Sequence, residues 1–176
     1  MMTLVVGGSA SGKSTFAESL VLQRGEGPRI YVATLEPLDG ECRRRIARHR
    51  AMRAGKGFET VECPRNVGQT EVPPKSTVLL ECVGTLCANE LFGSGGGPEC
   101  ALTAVLGGIE ALNRRCGNLV VVSNEVCSGG QRYEGDTLTY LRLLGQVNQA
   151  LAKRADRVYE VACGLPICHK GGRPPW

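Results

Sequence analysis

The sequence has no apolar run long enough to cross a membrane and no recognisable signal peptide. No stretch approaches the roughly 18 consecutive apolar residues that a membrane span requires. The chain begins directly on a strand-like apolar segment, without the basic region and long apolar stretch of a signal peptide. We therefore expect a cytoplasmic protein, and its 42% hydrophobic and 22% charged residues are ordinary for a globular chain.

The nine cysteines include no C-x-x-C pair. Cys82 and Cys87, like Cys163 and Cys168, are separated by four residues, which is wider than the usual zinc-knuckle spacing. We therefore favour reduced, mostly buried thiols over metal ligands.

Aromatic residues make up only 5% of the chain, and no nucleic-acid-binding motif is present. Six arginines nevertheless crowd one predicted helix: Arg43, Arg44, Arg45, Arg48, Arg50 and Arg53. Such a cluster is compatible with three interpretations: it binds nucleic acid, it forms a solvated helix face, or it binds a small phosphorylated ligand. Without interleaved aromatics, and with a net charge of only +4, we expect no nucleic-acid partner.

Strand-like and helix-like segments alternate along the 176 residues, which fit a single domain over 1–176 with a frayed tail at 171–176. Predicted strands are 4–6, 29–33, 77–80, 119–122 and 157–161, with weaker ones at 58–61 and 166–170. Predicted helices are 13–24, 40–54, 98–116 and 136–155, and predicted loops are 66–76 and 93–99. This alternation predicts an α/β fold with a mostly parallel sheet, helices on both faces and ligands at the carboxyl ends of the strands.

The segment "VVGGSASGKST" fits G-x-x-x-x-G-K-[ST] without a gap and lies between a predicted strand and a predicted helix. Glycines allow successive backbone N–H groups to point into one concavity, and the positive end of the helix adds to its field. A chance glycine-rich turn is the alternative, but the context on both sides favours a phosphate-binding loop. Its nucleotide-binding candidates are Gly7, Gly8, Ser9, Ala10, Ser11, Gly12, Lys13, Ser14 and Thr15. Lys13 is also a catalytic candidate, and Ser14 a Mg²⁺ ligand.

Glu81 directly follows the apolar run Val78–Leu80. A P-loop enzyme usually needs a carboxylate at the end of a second strand to bind Mg²⁺. A strand-terminal glutamate facing solvent is the alternative, and we favour the magnesium or nucleotide role for Glu81 because a P-loop is present.

His49 is one of only two histidines. On a helix Arg45, His49 and Arg53 recur on one face, so positive charges flank the imidazole and are expected to lower its pKa. A neutral imidazole can attack phosphorus while guanidinium groups bind the phosphate oxygens. An exposed histidine on a solvated basic helix explains the same spacing, and the spacing alone leaves both interpretations open. His169 has no comparable setting.

Several blocks of the chain together resemble the adenosylcobinamide kinase/adenosylcobinamide-phosphate guanylyltransferase family of cobalamin biosynthesis. They are "GGSASGKSTFAE", "IYVATLEPLDGECRRRIARHRAMR", "FETVEC", "VLLECVGTLCANELF", "VVVSNEV" and "LRLLGQVNQALAKRADRVYEVACGLPICHK". The second block is the most specific, because a Y-[IV]-A-T strand end followed by R-I-x-x-H-[RK]-x-x-R is not a general P-loop feature.

The resemblance implies a RecA-like P-loop fold, a homotrimer, a corrinoid substrate (adenosylcobinamide and its phosphate), and GTP and ATP as nucleotide substrates with Mg²⁺. It implies that His49 accepts GMP from GTP as the catalytic nucleophile. It places further nucleotide contacts at Ala33, Thr34, Leu35, Glu36, Arg50, Ala51, Met52, Arg53, Glu62 and Glu81.

The chain departs from the family pattern after Val126. The family usually continues G-x-G-I-V-P, whereas this chain reads "CSGGQRYEGDT" from Cys127. The family also often has a tryptophan near Phe58, and an arginine where this chain has Gln146 after Gly145. Two other functions remain as alternatives. One is a monofunctional P-loop kinase, which would not use His49, and the other is a nucleotide-dependent binding protein, although no N-K-x-D segment supports a guanine switch.

Overall fold

The computed structural model describes residues 1–24, 27–37, 39–126 and 132–172, with only the backbone of Arg45. The described strands are β1 (Met2–Gly7), β2 (Arg29–Ala33), β3 (Phe58–Glu62), β4 (Thr77–Glu81), β5 (Asn118–Asn124), β6 (Arg157–Ala162) and β7 (Leu165–Lys170). The described helices are α1 (Lys13–Leu22), α2 (Gly40–Arg53), α3 (Val83–Phe92), α4 (Pro98–Arg115) and α5 (Gly135–Arg154), with a short 3₁₀ turn at Val67–Gln69.

The seven strands form one sheet in the order β3-β2-β4-β5-β1-β6-β7. All neighbouring strands pair in parallel except β7, which runs antiparallel to β6. The register aligns Ala33 with Glu81 and Gly7 with Asn124. The strand ends that precede the P-loop and α3 therefore meet at one edge of the sheet, as the strand–helix alternation predicts.

The alternation of side chains along the strands builds two apolar layers. Val5, Tyr31, Leu79 and Val122 point to the face that α1 covers, through Phe16 and its neighbours. The other face, with Leu4, Val32, Leu80 and Val121, is covered by α3, α4 and α5. The predicted sheet with helices on both faces is thus confirmed.

Helix α2 is the least buried of the five described helices. Asp39 caps its start, because its Oδ1 accepts a hydrogen bond from the Cys42 backbone N–H at 2.7 Å. Near its end, Arg53 is 6% exposed, while most of the other described side chains of the helix face solvent. The following turn is held to α1, since the Lys56 Nζ donates to the buried Glu18 carboxylate at 2.5 Å.

Two segments differ from the expectation based on sequence. The predicted strand at 77–80 extends to Glu81, and α3 follows it almost immediately, where we predicted no helix. The predicted loop 66–76 contains the 3₁₀ turn. The weaker strands at 58–61 and 166–170 are both present, and the predicted tail beyond residue 172 lies outside the described residues. No described helix has the length and apolarity needed to span a membrane.

Candidate active site

The P-loop joins β1 to α1 and lines an open cleft at the carboxyl edge of the sheet. Gly12 adopts φ +91°, and a Cβ on it would lie 3.2 Å from the Cα of Gly164 in the β6–β7 turn, so glycine is required here. The same turn donates a hydrogen bond from the Gly164 N–H to the Ser11 carbonyl at 2.8 Å. The antiparallel hairpin at the end of the chain therefore supports the phosphate loop.

Lys13 and Ser14 occupy the positions that the P-loop motif predicts. The Lys13 Nζ donates to the Gly8 carbonyl at 2.9 Å, which folds the ammonium over the loop. The Ser14 hydroxyl donates to the Glu81 Oε1 at 2.5 Å. A phosphate held by the loop would therefore meet a cation and the start of α1 together.

Glu81 is the centre of the site, and its strand explains why. It lies on the same face of β4 as Leu79, which is the face that α1 covers, so its carboxylate reaches Ser14 although 67 residues separate them. Its Oε2 accepts a hydrogen bond from the Tyr31 hydroxyl at 3.2 Å. The residue is 7% exposed, which contradicts the alternative of a glutamate facing solvent.

Tyr31 is a site residue that the sequence did not reveal. Burial, and after it the charge of Glu81, raises the pKa of Tyr31 above its ordinary value, so the phenol keeps its proton and donates to Glu81. The guanidinium carbon of Arg53 lies 3.3 Å from the centre of the Tyr31 ring, a close cation–π contact. The only signal in the sequence was the Y-[IV]-A-T strand end, whose tyrosine reads as an ordinary core residue.

His49 faces the same carboxylate from helix α2. Its Nδ1 lies 3.7 Å from the Glu81 Oε1, and 15% of its side chain is exposed. The histidine lines both the P-loop cleft and a second cavity. The alternative of a fully solvated histidine is therefore wrong. The Arg45 side chain lies outside the described residues, so the predicted cationic stripe is described only at His49 and Arg53.

The second cavity is a small pocket between α2 and the ends of β2, β3 and β4. Its polar lining residues are Tyr31, His49, Arg50, Arg53, Thr60, Glu62, Glu81 and Thr85. Arg50 pairs with Glu62 at the exposed end, while the buried Nη1 of Arg53 has no hydrogen-bond partner among the described residues. The cavity thus offers carboxylates and guanidinium groups beside an apolar floor that includes Ala33, Leu35 and Ile46.

The predicted nucleotide contacts separate into four groups, one of which is Glu81 alone, because it lines both the P-loop cleft and the second cavity. Ser9–Thr15 and Met52 line the P-loop cleft, and Ala33, Leu35, Arg50, Arg53 and Glu62 line the second cavity. Gly7, Gly8, Thr34, Glu36 and Ala51 line neither of these two spaces. Thr34 has a structural contact instead, since its hydroxyl bonds both the carbonyl and the N–H of Cys82. Arg48 and Asn124 also line the P-loop cleft, although we did not predict them as site residues.

Mg²⁺ fits the donors that the site presents. The Ser14 hydroxyl and the Glu81 carboxylate are hard oxygen ligands next to the expected position of the nucleotide phosphates. Across the described residues, no group of three histidine, cysteine or acidic side chains forms a metal cage. The eight described cysteines form no disulfide with one another, but only Cys82 and Cys87 are buried, so the prediction of mostly buried thiols is wrong. A magnesium ion here would therefore need phosphate oxygens and water to complete its ligands.

Fold and site together define a P-loop nucleotide-binding enzyme with a histidine beside the phosphate loop. Residues 3–168 match the model of the cobinamide kinase / cobinamide phosphate guanyltransferase family. The chain belongs to this family, which confirms the resemblance and the expected enzyme class.

Curated relatives agree with this assignment. The chain is 34% identical to the bifunctional adenosylcobalamin biosynthesis protein CobU of Salmonella typhimurium and 35% identical to that of Escherichia coli, covering 95% of this chain and 98% of each relative. It is 33% identical to the bifunctional protein CobP of Pseudomonas aeruginosa, over 97% of this chain and 98% of that protein.

Solved structures support the fold alone. The ATPase domain of G40P superposes with a TM-score of 0.52 at 14% identity, covering 90% of this chain and 68% of that one. The protein PH0250 of Pyrococcus horikoshii OT3 superposes with a TM-score of 0.54 at 10% identity, covering 98% of this chain and 87% of that one.

Proposed function

We propose that this enzyme carries out two successive transfers at one P-loop site. In the first, the aminopropanol hydroxyl of adenosylcobinamide attacks the γ-phosphate of ATP or GTP. In the second, His49 takes GMP from GTP, and adenosylcobinamide phosphate then accepts the GMP to give adenosylcobinamide-GDP. The observation that carries the proposal is the position of His49, which lines the P-loop cleft and faces the carboxylate that the P-loop serine also contacts.

Each residue has a chemical role in the proposed transfers. Lys13 and the loop N–H groups bind the phosphate oxygens and stabilise the charge that develops during transfer. Ser14 and Glu81 would hold Mg²⁺, which supplies charge neutralisation at the phosphates when it is bound. Arg48, at the edge of the cleft, adds a further cation for the triphosphate.

The second cavity suits the guanine base of GTP. A carboxylate accepts hydrogen bonds from the N1–H and the exocyclic amine of guanine, and adenine has no such pair of donors on one edge. Glu62 offers this acceptor chemistry, and Ala33, Leu35 and Ile46 give an apolar surface for the ring. We propose that this cavity selects GTP for the guanylyl transfer.

The remaining properties rest on the family. We propose a homotrimer and a corrinoid bound near a subunit junction. The departure from the family pattern begins at Cys127, and residues 127–131 lie outside the described residues. We also propose that the enzyme works in the cytoplasm, where GTP and ATP are made and thiols stay reduced.

Labelled GTP distinguishes this function from a monofunctional kinase and from a binding protein. The full-length enzyme is incubated with GTP labelled at the α- or the γ-phosphate, and protein and corrinoid products are separated under denaturing conditions. We expect the α-label on the protein and the γ-label on adenosylcobinamide phosphate. A γ-label on corrinoid without any α-label on protein would indicate a kinase alone. The absence of both labels would indicate a binding protein.

A further inference from the structure

We propose that the Asn124 carboxamide, at the end of β5, binds the hydroxyl group that accepts the γ-phosphate, and that Asn148 positions Asn124 from helix α5. The inference deepens the proposed function and rests on it, because the accepting hydroxyl is the aminopropanol group of adenosylcobinamide. It also gives a role to Asn148, which begins the segment "NQALAKRADRVYEV". That segment carries part of the family resemblance, yet none of its residues lines the P-loop cleft or the second cavity.

Asn124 is the last residue of the strand that lies between the P-loop strand and the strand of Glu81. Strand β5 pairs with β1 on one side and with β4 on the other, and the register aligns Gly7 with Asn124. Asn124 is half-buried and lines the P-loop cleft together with Lys13, Ser14 and Glu81. A group bound at Asn124 therefore lies beside a phosphate that the loop holds.

The second cavity lies on the other side of the Glu81 strand from Asn124. It is formed at the ends of β3, β2 and β4, and none of the described residues that line it comes from β5 or α5. His49 and Glu81 line both spaces, whereas Asn124 lines the cleft alone. With guanine in the second cavity and the α-phosphate at His49, the γ-phosphate is the end of the nucleotide that lies away from the cavity. Asn124 is therefore placed for the group that attacks the γ-phosphate.

Asn148 holds the end of β5 through two hydrogen bonds. Its Nδ2 donates to the Asn124 carbonyl at 3.1 Å, and its Oδ1 accepts from the Ser123 hydroxyl at 2.6 Å. Ser123 is completely buried, so its hydroxyl depends on this partner in place of water. One side chain of α5 thus fixes the backbone of Asn124 and the residue before it.

Gly84 leaves space for the Asn124 carboxamide. A Cβ at this position would lie 2.9 Å from the Asn124 Nδ2 and 3.1 Å from the Tyr140 hydroxyl. Gly84 is in the first turn of α3, so the carboxamide packs against the start of that helix. No hydrogen bond between described residues uses the Asn124 carboxamide, and its donor and acceptor are therefore available to a ligand.

A carboxamide suits a hydroxyl group that attacks a phosphoryl group. The Asn124 Oδ1 accepts the hydroxyl hydrogen and Nδ2 donates to a phosphoryl oxygen, so one neutral group aligns both reactants. The hydroxyl oxygen forms the bond to the γ-phosphorus, the bond to the β–γ bridging oxygen breaks, and the nucleoside diphosphate keeps that electron pair. The hydroxyl proton passes to water in the open cleft, because an amide is not a base. Alignment is the main requirement of a loose phosphoryl transfer.

Three assays on the full-length enzyme separate a contact with the acceptor from a contact with the nucleotide. In Asn124→Ala we expect kcat/KM for adenosylcobinamide in the phosphorylation to fall about tenfold or more, through loss of the aligning hydrogen bonds. KM for ATP and the rate of α-labelling of the protein by GTP should stay at wild-type values. Asn118→Ala, at the opposite end of the same strand, is the matched control and should leave all three unchanged.

Each other outcome contradicts the inference in a recognisable way. A raised KM for ATP with unchanged kcat/KM for adenosylcobinamide would show that Asn124 contacts the nucleotide. Loss of phosphorylation and of α-labelling together would show that Asn124 supports the fold, and wild-type kinetics would show that it has no role. If the wild-type enzyme itself does not phosphorylate adenosylcobinamide, the first transfer of the proposed function fails together with this inference.

The positioning of Asn124 is tested by two further variants. Asn148→Ala removes both hydrogen bonds to β5, and Gly84→Ala displaces the carboxamide without removing it. Each should lower kcat/KM for adenosylcobinamide by about threefold or more, with KM for ATP and α-labelling unchanged. Gly107→Ala is the control for Gly84→Ala, because a Cβ at that position on α4 meets nothing within 4 Å. Wild-type kcat/KM in both test variants would show that the position of the carboxamide does not matter.

Discussion

Three side chains contact or face the Glu81 carboxylate, and each has a separate task. Ser14 connects it to the phosphate loop, Tyr31 fixes its second oxygen, and His49 faces it from helix α2. A buried charge is stable only where such partners compensate for lost hydration. At the scale of the residue, the site therefore depends on how firmly this one carboxylate is held.

Tyr31→Phe removes only the hydroxyl and keeps the ring beneath Arg53. We expect kcat for guanylyl transfer to fall by about ten- to a hundredfold with little change in KM for GTP, because a lost hydrogen bond to a buried charge costs about 1.5–3 kcal/mol. Steady-state kinetics measure both constants. Tyr159→Phe is the control, because its hydroxyl donates to the Gly172 carbonyl, away from Glu81. Unchanged kinetics in Tyr31→Phe would mean that the hydroxyl does not position the carboxylate.

Lys13→Ala removes the cation that lies over the phosphate loop. Both transfers should slow by about a hundredfold or more, because each develops charge on phosphoryl oxygens. The thermal unfolding temperature should stay close to that of the wild type, since the Lys13 side chain donates to a loop carbonyl and belongs to neither of the two apolar layers. Normal turnover of either nucleotide in this variant would remove the phosphate-binding role of the loop.

The site residues that could be predicted are those that belong to a motif of neighbouring residues in the sequence. The P-loop needs only consecutive residues, so Lys13 and Ser14 were found from spacing. Tyr31 lies inside an apolar strand, and its role appears only when β2 pairs with β4 and brings it to a carboxylate 50 residues away. Short-range patterns carry no information about such a contact.

At the scale of the elements, helix α2 is the part of the site with the least support from the core. Its described side chains mostly face solvent, and the contacts that hold it lie near its end, at His49, Arg50, Arg53 and the following Lys56. The Lys56–Glu18 pair connects this end to α1, which begins with the P-loop lysine. The helix that carries His49 and the helix that carries Lys13 are thus joined by one partly buried ion pair.

Lys56→Met should lower the free energy of unfolding by about 2 kcal/mol, because Glu18 is 1% exposed and would keep a buried charge without its partner. Urea unfolding followed by circular dichroism measures the change. Replacing both partners, as Glu18→Leu with Lys56→Met, should recover most of the loss. A single variant as stable as the wild type would show that the pair contributes nothing.

Four of the five described helices were predicted, and α3 was missed. Five strands are nearly continuous apolar runs, whereas β3 and β7 mix polar and apolar residues and gave only a weaker signal. Helix α3 follows Glu81 after one residue, has no side-chain cap, and buries Val83, Leu86, Cys87, Glu90 and Leu91. An apolar segment of this kind, directly after a strand and without a capping residue, gives no separate helical signal.

At the scale of the whole molecule, the parallel sheet explains why distant segments form one site. The ends of β1, β2, β4 and β5 lie at one edge, and the P-loop, α2 and α3 surround it. The fold class followed from the strand–helix alternation, but the order of the strands did not, because non-consecutive strands pair only in the folded chain.

The proposed homotrimer is the prediction that belongs to this scale. Light scattering of the full chain at micromolar concentration should give three times the 18.7 kDa mass of one chain. Its support is the family resemblance alone. A mass equal to one chain would exclude a corrinoid site at a subunit junction.

The most direct test of the account is the transfer of labelled GMP from GTP to His49. In His49→Ala we expect no α-label on the protein and no guanylyl transfer, but at least part of the kinase activity, since that step uses Lys13 and needs no nucleophilic imidazole. His169→Ala is the control, because His169 pairs with Glu160 at 2.9 Å on the β6–β7 hairpin and should leave labelling and both transfers unchanged. If α-labelled GMP still attaches covalently to the His49→Ala protein, the nucleophile is another residue and the proposed site is wrong.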